Sequence, residues 1–191
     1  MVFLLFLPTR RVFRVLAWLA LACLWASPAW PETVRARGVI DGDTIELTDG
    51  RMIRYLGIDA PEVHRKAHPG EAAWREGRQT WITDPDPFGQ EATTANRRLV
   101  EGVALTLEYD RERFDRYGRT LAYVYAGPVM VNEALLRQGW ARPLPIPPDV
   151  RYAQRFRALA DEARASRRGL WNEAVCRALY GAARCETASR R

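Results

Sequence analysis

Short runs of β-type residues separated by tight turn signals fill positions 33–61, and they constrain the fold more than any other feature of the chain. The runs cover residues 34–40, 44–47 and 52–58. Asp49-Gly50, between the second and third runs, is a strong hairpin signal because both residues tolerate positive φ. Pro61 has no backbone N–H to donate to a sheet, so the third strand is expected to end before it.

Helical and alternating patterns follow this all-β start. Apolar residues at helical spacing predict a helix over 91–101. Alternation predicts a strand over 103–109, and a further β-type run predicts one over 121–125. Residues 63–87 are rich in proline, glycine and polar residues, and we expect an irregular loop there.

Two further helices are predicted in the second half of the chain. Asn132 is expected to cap a short helix that Gly139 ends, and Asp149 to cap a last helix that Gly169 ends. The element order is then three strands, a helix, two strands and two helices. This order predicts an α+β fold, in which a small closed barrel carries helices packed on it.

The N-terminal segment, residues 1–29, has the composition of an export signal. Basic residues precede a short apolar run at 15–26, and small residues follow it, as in a secretory signal peptide. The run is short for a membrane span, although a retained N-terminal anchor is the alternative. Cleavage after residue 29 would export a mature domain, residues 30–172, to the periplasm or the medium, with a C-terminal tail at 173–191.

Charge and cysteine content constrain the partners and the compartment only loosely. The net charge is +6 at pH 7, and residues 1–29 contain three arginines and no acid, so a cleaved chain carries +3. That excess favours a polyanionic partner weakly. Cleavage would leave Cys176 and Cys185, and in an exported protein their spacing is compatible with a disulfide or with two free thiols.

Carboxylates concentrate at two turns that the predicted hairpin brings together. Asp41 and Asp43 belong to the first turn, and Asp59 and Glu62 follow the third strand. Converging carboxylates repel one another unless a cation neutralises them, and hard oxygen ligands select calcium or magnesium. An ordinary acidic turn is the alternative for residues 41–43.

Two arginines accompany these carboxylates. Arg54 lies five residues before Asp59, so on an ideal strand the two would face opposite sides. A bulge or a strand end near Gly57 would bring them into one site, whereas an exposed strand arginine is the alternative. Arg119 lies between two hydrophobic strands and can point into the barrel mouth, unless Asp115 simply turns a polar hairpin there.

Together these segments resemble the staphylococcal nuclease family. The motifs are DGDT, RYLGIDAPE and DRYGR followed by LAYVY, and the likeness continues through MVNEALLRQGWA to RGLW. The resemblance spans residues 34–171. It implies an α+β fold, namely a five-stranded OB-fold β-barrel with three packed α-helices.

The resemblance also implies a metal site. It places Ca²⁺ on the side chains of Asp43 and Asp59 and on the backbone carbonyl of Ala60. Asp41 would support these ligands from just outside the site.

The remaining roles that the resemblance implies concern the phosphate. Glu62 would be the general base or would orient the attacking water. Arg54 and Arg119 would hold the reacting phosphate, and Tyr117 and Arg116 would bind the substrate. Cationic groups around a phosphodiester stabilise the negative charge that develops in its transition state.

The function expected from the sequence is therefore an exported, Ca²⁺-dependent nuclease. It would hydrolyse DNA, RNA or both by in-line attack of water and leave 3′-phosphate ends, acting as a monomer without a stable protein partner. A non-catalytic OB-fold module that only binds nucleic acid is the alternative, but such a module does not need this set of carboxylates and arginines together. A membrane-tethered interaction domain is a third possibility.

Overall fold

Eleven short strands and four α-helices make up the part of the chain that the computed structural model describes, residues 32–66, 81–83 and 86–182. The strands are β1 (Thr33–Val34), β2 (Ala36–Asp41), β3 (Thr44–Leu47), β4 (Met52–Tyr55), β5 (Ile58–Asp59), β6 (His64–Lys66), β7 (Trp81–Thr83), β8 (Leu105–Glu108), β9 (Thr120–Ala126), β10 (Val129–Met130) and β11 (Arg142–Pro143). The helices are α1 (Gly89–Val100), α2 (Val131–Gln138), α3 (Ala153–Ala165) and α4 (Glu173–Tyr180), and a 3₁₀ turn at Gly169–Trp171 precedes α4. The predicted signal peptide at 1–29 lies outside these residues.

The main sheet runs in the order β1-β8-β9-β4-β3-β2, and β10 adds to β9. Only Arg35 separates β1 from β2, although the two strands lie at opposite ends of this order, so the chain itself closes the path around the sheet. Counting β1 and β2 as one bent strand, and leaving aside the two-residue β10, gives the five strands that the sequence predicts. All their pairings are antiparallel except that of β4 with β9. The α+β class and the OB-fold arrangement are confirmed.

The larger of two hydrophobic clusters in the described residues joins the sheet to helices α1, α2 and α3. Ile45 and Leu47 of β3 and Ile53 of β4 are fully buried, because alternate positions of each strand face the interior. Leu135 of α2 and Phe156 of α3 belong to the same cluster. Burial of such a side chain contributes about 1.5–3 kcal/mol, so these layers hold the strand ends that carry the polar residues described below.

The fourth helix lies where the sequence predicts a tail. Cys176 of α4 is buried and forms a second, smaller cluster with Phe88 and Leu170. Cys176 is disulfide-bonded, and its partner lies outside the described residues. The packed structure therefore extends beyond residue 172. Within the described residues, no helix is long and apolar enough to cross a membrane.

Both predicted helix caps are wrong. Helix α2 begins one residue before Asn132, whose buried amide accepts from Val124 N–H at 3.0 Å and donates to the Leu56 carbonyl at 2.9 Å. Asp149 precedes α3 by several residues, and its carboxylate accepts the backbone N–H groups of residues 111 and 112. Each side chain joins distant segments instead of ending a helix.

The loop expected at 63–87 is partly regular. Strands β6 and β7 pair antiparallel, with Lys66 opposite Trp81, and form a two-stranded ribbon. Strand β6 of this ribbon begins two residues after Glu62, one of the predicted active-site residues.

Candidate active site

One guanidinium group bridges the two carboxylates that the sequence predicts to converge. Asp43 lies in the turn between β2 and β3 and is 2% exposed. Arg54 of β4 forms an ion pair with Asp43 Oδ1 and another, at 2.9 Å, with Asp59 Oδ1. Asp43 Oδ2 accepts the backbone N–H of Ala60 at 2.6 Å. The predicted convergence of the two turns is therefore observed.

A break between β4 and β5 places Arg54 and Asp59 on the same side. Gly57 has φ +74°, a left-handed conformation that favours glycine, and it separates the end of β4 from the start of β5. A Cβ there would lie 2.8 Å from the Phe156 ring. The break at Gly57 thus allows Arg54 and Asp59 to face one site, although their five-residue spacing would place them on opposite sides of an unbroken strand.

A buried asparagine of α1 holds the turn that carries Asp41 and Asp43. Asn96 is fully buried, donates from Nδ2 to the Asp41 carbonyl at 3.0 Å and accepts from the Tyr55 hydroxyl at 2.9 Å. Asp43 N–H donates to Asp41 Oδ1 at 3.0 Å. Sequence reasoning missed Asn96, and its only signal was a polar residue on the apolar face of the predicted helix.

The beginning of α1 fixes the backbone of Glu62. Asp86 N–H donates to the Glu62 carbonyl at 2.8 Å, and Asp86 Oδ2 accepts from Glu62 N–H over a longer 3.4 Å contact. A Cβ at Gly89 would lie 2.6 Å from the same carbonyl oxygen. Sequence reasoning missed both residues, because the contact joins segments that are separated by the whole 63–87 region.

Two carboxyl groups at this site, those of Glu62 and Asp41, have a pKa above the usual value. Partial burial is the main reason that the pKa of Glu62 rises to about 7, and the negative charges of Asp41, Asp59 and Asp86 add to it. Burial likewise raises the pKa of Asp41, and the Arg54 and Arg119 guanidinium groups offset this only in part. Glu62 nevertheless belongs to the exposed residues, so its carboxyl group can reach solvent.

Arg119 approaches the site but is held by its own loop. Its Nε donates to Asp115 Oδ2 at 2.7 Å, and Asp115 Oδ1 accepts the backbone N–H groups of Tyr117 and Arg119. Arg119 still acts electrostatically on Asp41. Arg116 donates to the Tyr117 hydroxyl at 2.6 Å, and Tyr117 is 61% exposed. Among the predicted substrate residues, these two therefore form a surface pair outside the carboxylate cluster.

A family model for the staphylococcal nuclease homologues matches residues 52–173. The chain belongs to the staphylococcal nuclease family. The matched range includes the predicted site residues from Arg54 to Arg119, whereas Asp41 and Asp43 precede it.

Named relatives of the staphylococcal nuclease family agree with this assignment. The chain is 34% identical over 149 residues to a thermonuclease from Staphylococcus hyicus, an alignment that covers 76% of this chain and 79% of that protein. It is 33% identical over 143 residues to the Staphylococcus intermedius thermonuclease, an alignment that covers 73% of this chain and 76% of that protein. Endonuclease YncB of Bacillus subtilis is 34% identical over 139 residues, covering 70% of this chain and 59% of YncB.

The chemistry of the bridged carboxylates suits the metal that the staphylococcal nuclease family implies. Within the described ranges, no three His, Cys, Asp or Glu side chains are grouped as a metal cluster. Asp43 and Asp59 nevertheless lie close enough together to share one cationic group, that of Arg54. Two carboxylates with the adjacent carbonyl of Ala60 form an all-oxygen donor set, the type that Ca²⁺ prefers.

Proposed function

We propose that this chain is a Ca²⁺-dependent nuclease that hydrolyses phosphodiester bonds of DNA, RNA or both. The observation that carries the proposal is the convergence of Asp43, Asp59 and Arg54 beside Glu62, in a chain of the staphylococcal nuclease family. Relatives of similar length are named thermonucleases, which supports the same reaction class.

In the proposed mechanism, Glu62 accepts a proton from the water that attacks phosphorus in line. A general base works best with a pKa near the working pH, and the pKa of Glu62 at about 7 meets this condition. Arg54 and Arg119 supply positive charge to the phosphate oxygens as negative charge develops on them. Asp115 positions Arg119 for this role through their ion pair. The expected products carry 3′-phosphate ends.

Asp43, Asp59 and the Ala60 carbonyl would hold the calcium ion, with Asp41 supporting the turn. A bound divalent cation supplies additional stabilisation of negative charge on a phosphate oxygen. We also propose that residues 1–29 direct export to the periplasm or the medium, with membrane anchoring by the same segment as the alternative, and that the enzyme acts as a monomer.

Replacement of the Glu62 carboxylate should distinguish a nuclease from a module that only binds nucleic acid. Glu62→Gln and Arg119→Gln should each lower turnover by about two orders of magnitude or more, because each removes a group acting in the transition state. Exposed residues provide matched controls: Glu101→Gln and Arg37→Gln should retain activity. Turnover of a labelled oligonucleotide is the measurement, and undiminished cleavage by both site variants would rule out the assignment.

Removal of calcium should abolish cleavage. EGTA is expected to stop turnover and added Ca²⁺ to restore it, because the oxygen donors bind a hard cation. Asp43→Asn and Asp59→Asn should weaken Ca²⁺ binding in calorimetric titrations without nucleic acid. Full activity in EGTA, or unchanged Ca²⁺ affinity in both variants, would place the metal elsewhere.

A further inference from the structure

A basic pocket lies at the C-terminal end of α3, on a part of the surface that the proposed mechanism does not use. Its volume is about 520 Å³, within the range of ligand sites. We define the C-terminal basic pocket by the residues that carry the argument: Arg164, Arg167, Trp171, Glu173 and Arg177.

The charges of this pocket are poorly compensated. Within the described residues, Arg164 and Arg167 form no ion pair, whereas Arg177 contacts Glu173 at 3.6 Å. That pair is more than half exposed on both sides, and exposed pairs of this kind are weak. Three arginines therefore face a single carboxylate, which favours a ligand with more than one negative charge.

An indole ring orders the arginines at the inner side of the pocket. The Arg164 guanidinium lies 4.4 Å from the Trp171 ring centroid, and that of Arg142 lies 5.3 Å from it. Cation–π contacts of this kind hold guanidinium groups in place without consuming their hydrogen-bond donors. The donors of Arg164 remain suited to phosphate oxygens, which match the planar fork of arginine.

A backbone pairing and a ring contact of Arg142 link the C-terminal basic pocket to the strand that carries Asp59. In the backbone pairing of β11 with β5, Arg142 lies opposite Asp59, whose carboxylate is one of the two that Arg54 bridges. The side chain of the same Arg142 lies over Trp171, which lines the pocket. Arg142 thus belongs to the strand beside Asp59 and also contacts the ring that lines the pocket.

We propose that the C-terminal basic pocket binds the phosphodiester backbone of the substrate strand, at phosphates several nucleotides from the bond that is cut. This proposal rests on the proposed nuclease function and adds to it a preference for longer strands. The ligand is the sugar–phosphate backbone, which Arg164 and Arg167 contact without reading the base sequence.

The experiment compares short and long single-stranded oligonucleotides, about 3 and about 15 nucleotides, with the full chain. Arg164→Gln/Arg167→Gln is the test variant, and Arg97→Gln/Arg157→Gln removes the same charge from exposed positions outside the pocket. Binding is measured by fluorescence anisotropy in a Glu62→Gln background, and kcat and KM are measured in the active background. Arg167→Glu serves as a second variant, because Arg167 is exposed and its replacement leaves the contact of Arg164 with Trp171 intact.

The test variant should bind the long oligonucleotide roughly tenfold more weakly than the control variant, from loss of two exposed charge contacts. The slope of log affinity against log salt should fall by roughly 0.7 for each lost phosphate contact. Binding of the short oligonucleotide and kcat should stay unchanged, while KM for the long substrate should rise.

The proposal would be overturned if the test variant lost equal affinity for the short and the long oligonucleotide, or if it lost no affinity relative to the control variant. Weaker binding to phosphatidylglycerol vesicles with unchanged oligonucleotide binding would also overturn it, by assigning the pocket to a membrane surface. These results are separate from the catalytic assignment: a chain that cuts no substrate would refute the proposed function, yet its length-dependent binding would still decide the role of the pocket.

Discussion

Gly42 illustrates how a single residue controls the proposed site. It lies between Asp41 and Asp43, and a Cβ added there would come within 2.5 Å of the Ala60 Cβ and 2.9 Å of the Ala92 Cβ. The turn, the Ala60 loop and α1 therefore touch at the one position that lacks a side chain. This close approach allows Asp43 to reach the Ala60 N–H.

Gly42→Ala should consequently disturb the carboxylates and the fold together. The added methyl group meets two rigid neighbours, so we expect the free energy of unfolding to fall by about 1–3 kcal/mol, and we expect Ca²⁺ affinity to fall as well. Gly38→Ala is the matched control, because a Cβ at Gly38 has no neighbour within 4 Å. Denaturant unfolding and calcium titration are the measurements, and equal stability of the two variants would contradict the steric argument.

Individual residues also show what the sequence could and could not predict about the site. The meeting of Arg54 with Asp59 was accessible, since both lie near Gly57 on one short segment. Asn96 was not, because its bond to Asp41 spans 55 residues and depends on how α1 packs against β2. The hydrogen bond from Arg119 to Asp115 is local. It was not predicted, because the same residues are also typical of a plain polar hairpin turn.

At the scale of elements, Glu108 connects β8 to β9 and to the start of α3. Its carboxylate accepts from the hydroxyls of Tyr125 at 2.7 Å and Tyr152 at 2.9 Å and pairs with Arg151. Partial burial raises the pKa of Glu108, but the hydrogen bonds from Tyr125, Arg151 and Tyr152 outweigh this and hold the pKa below its usual value. The contact is therefore formed by the ionised carboxyl group.

The stabilisation by Glu108 should depend on pH with a defined sign. Its pKa is lower in the folded chain than the value of about 4.3 in an unfolded chain. The contribution is thus complete above that unfolded value and is lost as the pH falls through the folded one. Glu108→Gln should lower the free energy of unfolding by about 1 kcal/mol at pH 7, and this difference should shrink in acid.

Urea unfolding at several pH values between 3 and 7 measures this difference, and Glu112→Gln at an exposed position is the control. A gap between Glu108→Gln and the parent that widens in acid would contradict the expected sign.

Two elements escaped prediction because their stability comes from packing across the chain. Helix α4 has only eight residues, and helices this short depend on tertiary contacts, in this case the burial of Cys176 against Phe88 and Leu170. The ribbon of β6 and β7 is similar, since its pairing register does not show in the composition of either three-residue strand. The longer helices and the barrel strands were predicted because their apolar periodicity is strong.

At the scale of the whole molecule, α4 supports Glu62 from a distance. The Tyr180 ring packs edge-on against Phe88 with centroids 5.4 Å apart, and its hydroxyl donates to the Glu91 carboxylate at 2.8 Å. Phe88 immediately precedes Gly89, where an added Cβ would lie 2.6 Å from the Glu62 carbonyl oxygen. The C-terminal helix is therefore coupled to the proposed general base through the beginning of α1.

Tyr180→Ala should test this coupling. Loss of the ring contact and of the hydrogen bond is expected to lower the free energy of unfolding by about 2 kcal/mol and to reduce turnover several-fold through movement of Glu62. Leu179→Ala is the neighbouring control, since Leu179 is 60% exposed. Thermal unfolding and turnover are measured together, and unchanged turnover in a destabilised Tyr180→Ala variant would show that the coupling stops at the helix.

The parallel pairing of β4 with β9 has a consequence for how the enzyme is made. It sets Ile53 opposite Thr120, and Arg119 precedes that partner by one residue. The segments that carry Arg54 and Arg119 are therefore brought together by a pairing that spans more than sixty residues of chain. Contacts with such large separation form late, after the entropy of closing the loop has been overcome. A nascent chain on the ribosome thus carries the first arginine and all the carboxylates long before the second arginine emerges. The proposed site is therefore expected to be complete only after β9 has left the ribosome and paired with β4.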